Sequence, residues 1–202
     1  MHISTLFIKL AVISVVLLSA CATQENKPEQ QQTQAEADKA LSKTSESDIQ
    51  QYRQAISLIS TGKLDEAESE LMDFSADHPG LAGPLANLGL ISMKRNKYDK
   101  AEEFLQKALS KNPNLPHAYN LLGCIEKSRG NIIKARDNFT RAVELKENYA
   151  LAHYNLALLY DIYIQDISSA VAHYQKYLAL IKSTDKKTAD WLNELKASLK
   201  KG

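Results

Sequence analysis

Leu85-Ala86-Asn87-Leu88-Gly89 returns further along the chain as Tyr119-Asn120-Leu121-Leu122-Gly123. Ala101, Leu105, Ala108 and Pro113 follow the first copy, and Ala135, Phe139 and Ala142 follow the second at the same interval. A fixed period of roughly 34 residues, with small residues at one phase and large ones at another, predicts stacked helical units that each bury a face against the next. Such an array offers a concave surface to another chain and seldom carries a reaction centre. The period therefore points to docking rather than to chemistry.

The period extends in both directions. Pro79 and Pro113 stand one period apart, each just past an amphipathic stretch whose last turn it ends. Ala67, Ala101 and Ala135 repeat in step, as do Gly62, Asn96 and Gly130 at the expected turns, where a left-handed backbone is easiest for Gly or Asn. These positions resemble the tetratricopeptide repeat. The resemblance implies an all-α, right-handed solenoid of antiparallel helix pairs, about four units long. It also implies that Ala55, Gly89, Gly123 and Ala157 let the first helix of each pair (helix A) lie close to the second (helix B). Leu71, Leu105 and Phe139 then fill the gap between units. Two departures stand out. The third unit ends in Glu147-Asn148 instead of Pro. In the fourth, Ala170, Tyr174 and Tyr177 lag by one residue, which an extra residue in the turn near Tyr163–Asp166 would explain. Beyond it, Trp191, Leu192, Leu195 and Leu199 share one helical face and predict a helix that covers the array's last exposed side.

The chain opens differently. A short polar start with Lys9 leads into the apolar run 10–18, too short for a membrane span of roughly 20 residues. Leu18-Ser19-Ala20-Cys21 resembles the lipobox of bacterial lipoproteins, which implies cleavage before Cys21 and acylation of its thiol and amino group. The other reading is an ordinary cleaved signal followed by an incidental cysteine. Ala22 in place of Asp implies, by the same resemblance, the outer membrane, facing the periplasm. Residues 22–47 are rich in Gln, Glu, Lys, Thr and Ser, with almost nothing to bury. About 25 such residues form a tether with a root-mean-square reach of roughly 27 Å; a short helix at 33–41 is the alternative. The folded part should start near Asp48, a good N-cap type. The domain reading is then 1–20 signal, 21–47 tether, 48–81, 82–115, 116–149 and 150–183 four units, and 184–202 capping helix.

Composition excludes several function classes. Removing residues 1–20 takes one base, Lys9, and no acid, which leaves 24 bases against 24 acids, unlike a nucleic-acid binder. Two cysteines, Cys21 and Cys124, do not make a disulfide framework. The five histidines show no paired-ligand spacing, although His117 and His153, both on helix A segments of adjacent units, stand where they could approach each other. Cys124 has no His three or four residues away to serve as its base. No nucleophile elbow or phosphate loop occurs. No cofactor and no enzyme activity is expected.

The candidate site is thus the inner surface. In the family a ligand meets helix A at phases beside the packing residues. By register these are Tyr52 and Ile56 in the first unit and Leu90, Met93 and Lys94 in the second. The third supplies His117, Asn120 and Lys127, and the fourth Leu151, Tyr154, Leu158 and Asp161. The mixture suits a peptide segment with apolar anchors, extended or helical; the alternative is that several of these residues simply pack against neighbouring helices. The family's carboxylate-clamp residues are missing from the first unit, which has Tyr52 and Ile56 there. Lysines near the C-terminus alternate with Asp185, Asp190 and Glu194, as on a solvated face. The expectation is a lipid-anchored scaffold that binds protein partners of an envelope machine. Its architecture resembles the lipoproteins that assist type IV pilus secretins, or the repeat proteins that accompany TonB-type systems. The alternative is a structural factor for peptidoglycan or polysaccharide export.

Overall fold

The computed structural model describes residues 45–182 and 184–199. The signal-like segment, Cys21, the alternative helix at 33–41 and nearly all of the tether lie outside them. Among the described residues the regular structure is helical throughout: α1 (Glu46–Ser60), α2 (Leu64–Asp77), α3 (Ala82–Lys94), α4 (Tyr98–Lys111), α5 (Pro116–Ser128), α6 (Ile132–Leu145), α7 (Ala150–Leu158), α8 (Ile167–Leu180) and α9 (Lys186–Leu199). None of them is long and apolar enough to cross a membrane.

The helices pair as the period predicts, α1 with α2, α3 with α4, α5 with α6 and α7 with α8, and each pair packs on the next. The result is an α-solenoid. Close packing within a pair follows from the missing side chain at two glycines. A methyl group on Gly89 would lie 2.8 Å from Leu105 Cγ, and one on Gly123 would lie 2.5 Å from the Phe139 ring. Leu71, Leu105 and Phe139 are fully buried, Leu105 and Phe139 against the glycine of their own pair, each contributing roughly 1.5–3 kcal/mol of transfer free energy. Gly62, Asn96 and Gly130 all adopt positive φ (78°, 57° and 80°) at the turns between helices A and B.

Three expectations are corrected. The first helix starts before Asp48. Ser45 is its N-cap, its hydroxyl accepting from the Asp48 amide at 3.2 Å while the Asp48 carboxylate accepts from the Ser45 amide at 3.1 Å. Asp48 is the far half of a capping box, so Glu46 and Ser47 belong to the helix rather than the tether. The second correction concerns the fourth unit. Its extra residue is not in the turn: α7 runs on into a π-helical segment, Leu159–Ile164, and the left-handed residue, Gln165 (φ 62°), comes only after it. A widened turn accommodates one additional residue without breaking the helix. Thirdly, α9 buries only part of its predicted stripe. Leu192 and Leu195 are buried with Thr188, whereas Trp191 and Leu199 are 39% and 45% exposed. Asp185 caps this helix, accepting from the Thr188 amide at 3.1 Å and from the Tyr177 hydroxyl at 3.1 Å.

The first unit shows why the array begins where it does. At the phases of Leu85 and Leu88 it carries Gln51 and Gln54, both exposed. Among the described residues no unit precedes it, and polar residues suit a solvated face.

Candidate functional site: the inner face of helices A

Helices α1, α3 and α5 pack side by side along the array, with α7 next in sequence register. The twelve residues predicted to line this face fall into two layers. Ile56, Leu90, Lys94, His117, Leu151, Tyr154 and Asp161 are partly exposed. Tyr52, Met93, Asn120, Lys127 and Leu158 are buried, at 3%, 4%, 0%, 8% and 6% exposure. In the isolated chain the second group forms the floor of the face.

Close approach of neighbouring helices explains the floor. Tyr52 sits over Gly83, where a side chain would come within 2.6 Å of its hydroxyl. The hydroxyl accepts from Asn87 Nδ2 at 2.8 Å, and the ring stacks on Phe74 with centroids 5.2 Å apart. Burial pushes its phenol well above the usual tyrosine range. Asn120 makes a cross-unit bond, its Oδ1 accepting from Asn155 Nδ2 at 2.9 Å; the same Nδ2 lies 3.7 Å from the buried Cys124 sulfur. His117 Nδ1 is 3.1 Å from the Tyr149 hydroxyl. Burial first, and Lys146 second, push the His117 imidazole down to about 4. Two side-chain atoms of this face, Asn120 Nδ2 and the Nε2 of the partly exposed His117, are themselves buried without a hydrogen-bond partner.

The expected approach of His117 and His153 is corrected. His153 falls at the phase of Leu85 and Tyr119 and turns toward helix B, where its Nδ1 meets His173 Nδ1 at 3.0 Å. No group of three or more metal-ligating side chains converges among the described residues.

At the far end, Asp161 is drawn into the cap. Its Oδ2 accepts from Trp191 Nε1 at 2.6 Å and from the Tyr174 hydroxyl at 3.1 Å. Tyr154 packs against Tyr177 (centroids 4.9 Å apart) and lies edge-on to Tyr174. Sequence reasoning did not single out Asn155, Tyr149 or the indole of Trp191 as members of this surface. A second unrecognised pattern had a clear signal. Arg95 bonds Asp65 and Glu68, and Arg129 bonds Asp99 and Glu102 at 2.6 Å each. All three positions repeat with the period of the array. Glu68 also takes Lys100, and these partners, Lys100 first, hold its carboxyl below the usual range. In the third unit the acid positions hold Ile133 and Arg136.

Residues 84–115 and 116–149 each match a family profile described as tetratricopeptide repeat. The two central helix pairs carry this repeat. No curated protein matches the whole sequence significantly. Many solved structures share the fold. The chain resembles PilF of Pseudomonas aeruginosa with 17% identity and a TM-score of 0.67, over 77% of this chain and 70% of that one. It also resembles a thermophilic TPR protein of Thermus thermophilus, at 19% identity and TM-score 0.62, covering 78% and 86% of the two chains. A third likeness is to the first TPR domain of Spaghetti (RPAP3), solved bound to the HSP90 peptide SRMEEVD. There the identity is 20% and the TM-score 0.53, over 58% of this chain and 92% of that one. Identities of this size are likenesses of fold.

Proposed function

We propose that this protein is a lipid-anchored TPR scaffold, held on the outer membrane through Cys21 and facing the periplasm. It binds protein partners of an envelope machine through the inner face of its A helices. The observation that carries the docking part is the accessible layer of that face. Ile56 and Leu90 at one end and Leu151 and Tyr154 at the other are apolar and partly exposed, with Lys94 and Asp161 beside them. Apolar anchors on a preformed helical scaffold favour a peptide segment of a partner over a small molecule. The peptide held by the RPAP3 domain is a precedent for such binding by this fold. Anchoring rests on Leu18-Ser19-Ala20-Cys21 and the polar segment after it. Several acyl chains at about 0.8 kcal/mol per buried methylene hold a protein on a bilayer almost permanently.

Among envelope machines, type IV pilus secretin assembly and TonB-type systems are the two we favour. The likeness to PilF is one of fold and does not choose between them. Affinity capture from detergent-solubilised envelopes, comparing Leu90→Glu and Tyr154→Glu with the parent chain, tests the docking surface. Loss of specific partners with unchanged helical content is expected, and equal recovery of every partner would sink the reading. Labelling with a palmitate analogue in the parent and in Cys21→Ser tests the anchor; identical labelling refutes it.

A further inference from the structure

His153 of α7 and His173 of α8 face each other with their Nδ1 atoms 3.0 Å apart. On its other side His153 Nε2 lies 2.9 Å from the main-chain oxygen of Glu147, in the loop that enters the fourth unit. A carbonyl oxygen only accepts, so His153 carries its proton on Nε2 and presents a lone pair at Nδ1. His173 must then donate its Nδ1–H. The protonation of both rings is dictated by this chain of bonds. His173 in turn stacks flat on Tyr160 of the π segment, with centroids 5.7 Å apart and planes 6° from parallel. Loop, helix A, helix B and π segment of the fourth unit thus meet at one pair of imidazoles.

We propose that the His153–His173 bond is an acid-labile joint, whose double protonation loosens the fourth helix pair and its capping helix while the first three pairs stay packed. One added proton fits the geometry, on His173 Nε2. The second has only His153 Nδ1 to occupy, and it sets two N–H donors against each other at the bonded distance. Lys176 of α8 opposes protonation of His153, and Glu147 of the loop, which also accepts from Lys176 at 2.8 Å, favours it. From α6, Arg136 lies within electrostatic reach of Tyr160, but its guanidinium is held charged chiefly by Asp137. Burial outweighs the Glu147 contribution: it pushes His153 down, and it pushes His173 down to about 4. Opening stays local because units of a linear array hold only their neighbours. Leu151 and Tyr154 ride on this pair, so acid also releases the occupant of the inner face, a consequence that rests on the docking reading above.

Hydrogen exchange on the full-length protein at neutral pH and near pH 4, corrected for intrinsic exchange, tests the joint. Protection in α7–α9 is expected to fall at least about tenfold further than in α1–α4, which lack the acid-sensitive His117 of α5. His173→Asn should hold its protection at both, because an amide turns to offer Nδ2–H to neutral His153 or Oδ1 to its protonated form. A uniform loss along the array, no loss in α7–α9, or a His173→Asn protein as acid-sensitive as the parent would each overturn the proposal. Should that variant fail to fold, NMR titration of the parent decides. His153 taking up its proton together with the opening of α8 supports the joint, and His153 titrating while α8 stays protected overturns it. Capture of partners, measured separately, distinguishes failure of the joint from failure of the docking surface.

Discussion

Gly123 is a position where one methyl group decides the packing of two helices. Its missing side chain leaves the Phe139 ring the space it occupies, 2.5 Å from where a Cβ would stand. Gly123→Ala should cost about 1–3 kcal/mol, read as a lowered urea midpoint with unchanged slope. The same change in a Phe139→Leu background should cost less, since the smaller side chain yields space. His117 makes a prediction in pH. Its folded value of about 4 lies below the roughly 6.5 of an unfolded histidine. The unfolded chain therefore binds the extra proton first as pH falls. Stability from keeping this ring neutral is complete above about pH 6.5, declines by at most about 1.4 kcal/mol per pH unit below it, and is lost by about pH 4. His117→Phe should flatten that part of the stability profile, and an unchanged slope would remove His117 from the account. At this scale the small and large phases were legible in the sequence, because each follows from a distance between helices that every unit repeats. The partners of His117 and His153 were not, because they depend on which way a side chain leaves its helix.

Among the elements, the fourth unit shows how an irregularity is absorbed. The one-residue lag of Ala170, Tyr174 and Tyr177 was visible in the sequence, but its location was not. A turn and a π-widened helix end shift everything downstream by the same amount, so spacing alone does not separate them. The consequence falls on Gln165, held at φ 62° where the other turns place Gly or Asn. Gln165→Gly should stabilise the protein by about 0.5–1 kcal/mol, measured as a thermal midpoint a few degrees higher. Gly130→Ala, at the regular turn, should destabilise by a comparable amount. The start of α1 carries the same kind of ambiguity. Ser45 and Asp48 are both good caps by type, and only the reciprocal bonds assign Ser45 as N-cap and Asp48 as its partner.

For the whole molecule, stability should be carried unit by unit, with the ends as the weak points. Ending the chain after Ile181 removes α9 and uncovers Tyr174, Tyr177 and Leu178, which are buried in the intact protein. A loss of about 3–6 kcal/mol is expected from the burial of Leu192 and Leu195 alone, together with faster amide exchange confined to α7 and α8. Equal loss of protection in α1–α4 would mean that the array unfolds as one block. The Arg95 and Arg129 clamps add register more than stability, since Asp65 and Asp99 are fully solvated partners.

By itself the sequence determined the α-solenoid: its period, its helix pairs, its glycine contacts and its left-handed turns. Each of these is a local requirement that recurs once in every unit, so repetition exposes it. Only the tertiary structure decided which inner-face residues are accessible. Tyr52, Met93, Asn120, Lys127 and Leu158 share their phases with the partly exposed Tyr154, Asp161, Ile56 and Leu90, yet they are covered by the adjoining helices. Burial there depends on how closely two units approach, and that distance is set by side chains from both. The same holds for His153 and His173, which no spacing connects and which the folding of α8 against α7 brings to 3.0 Å.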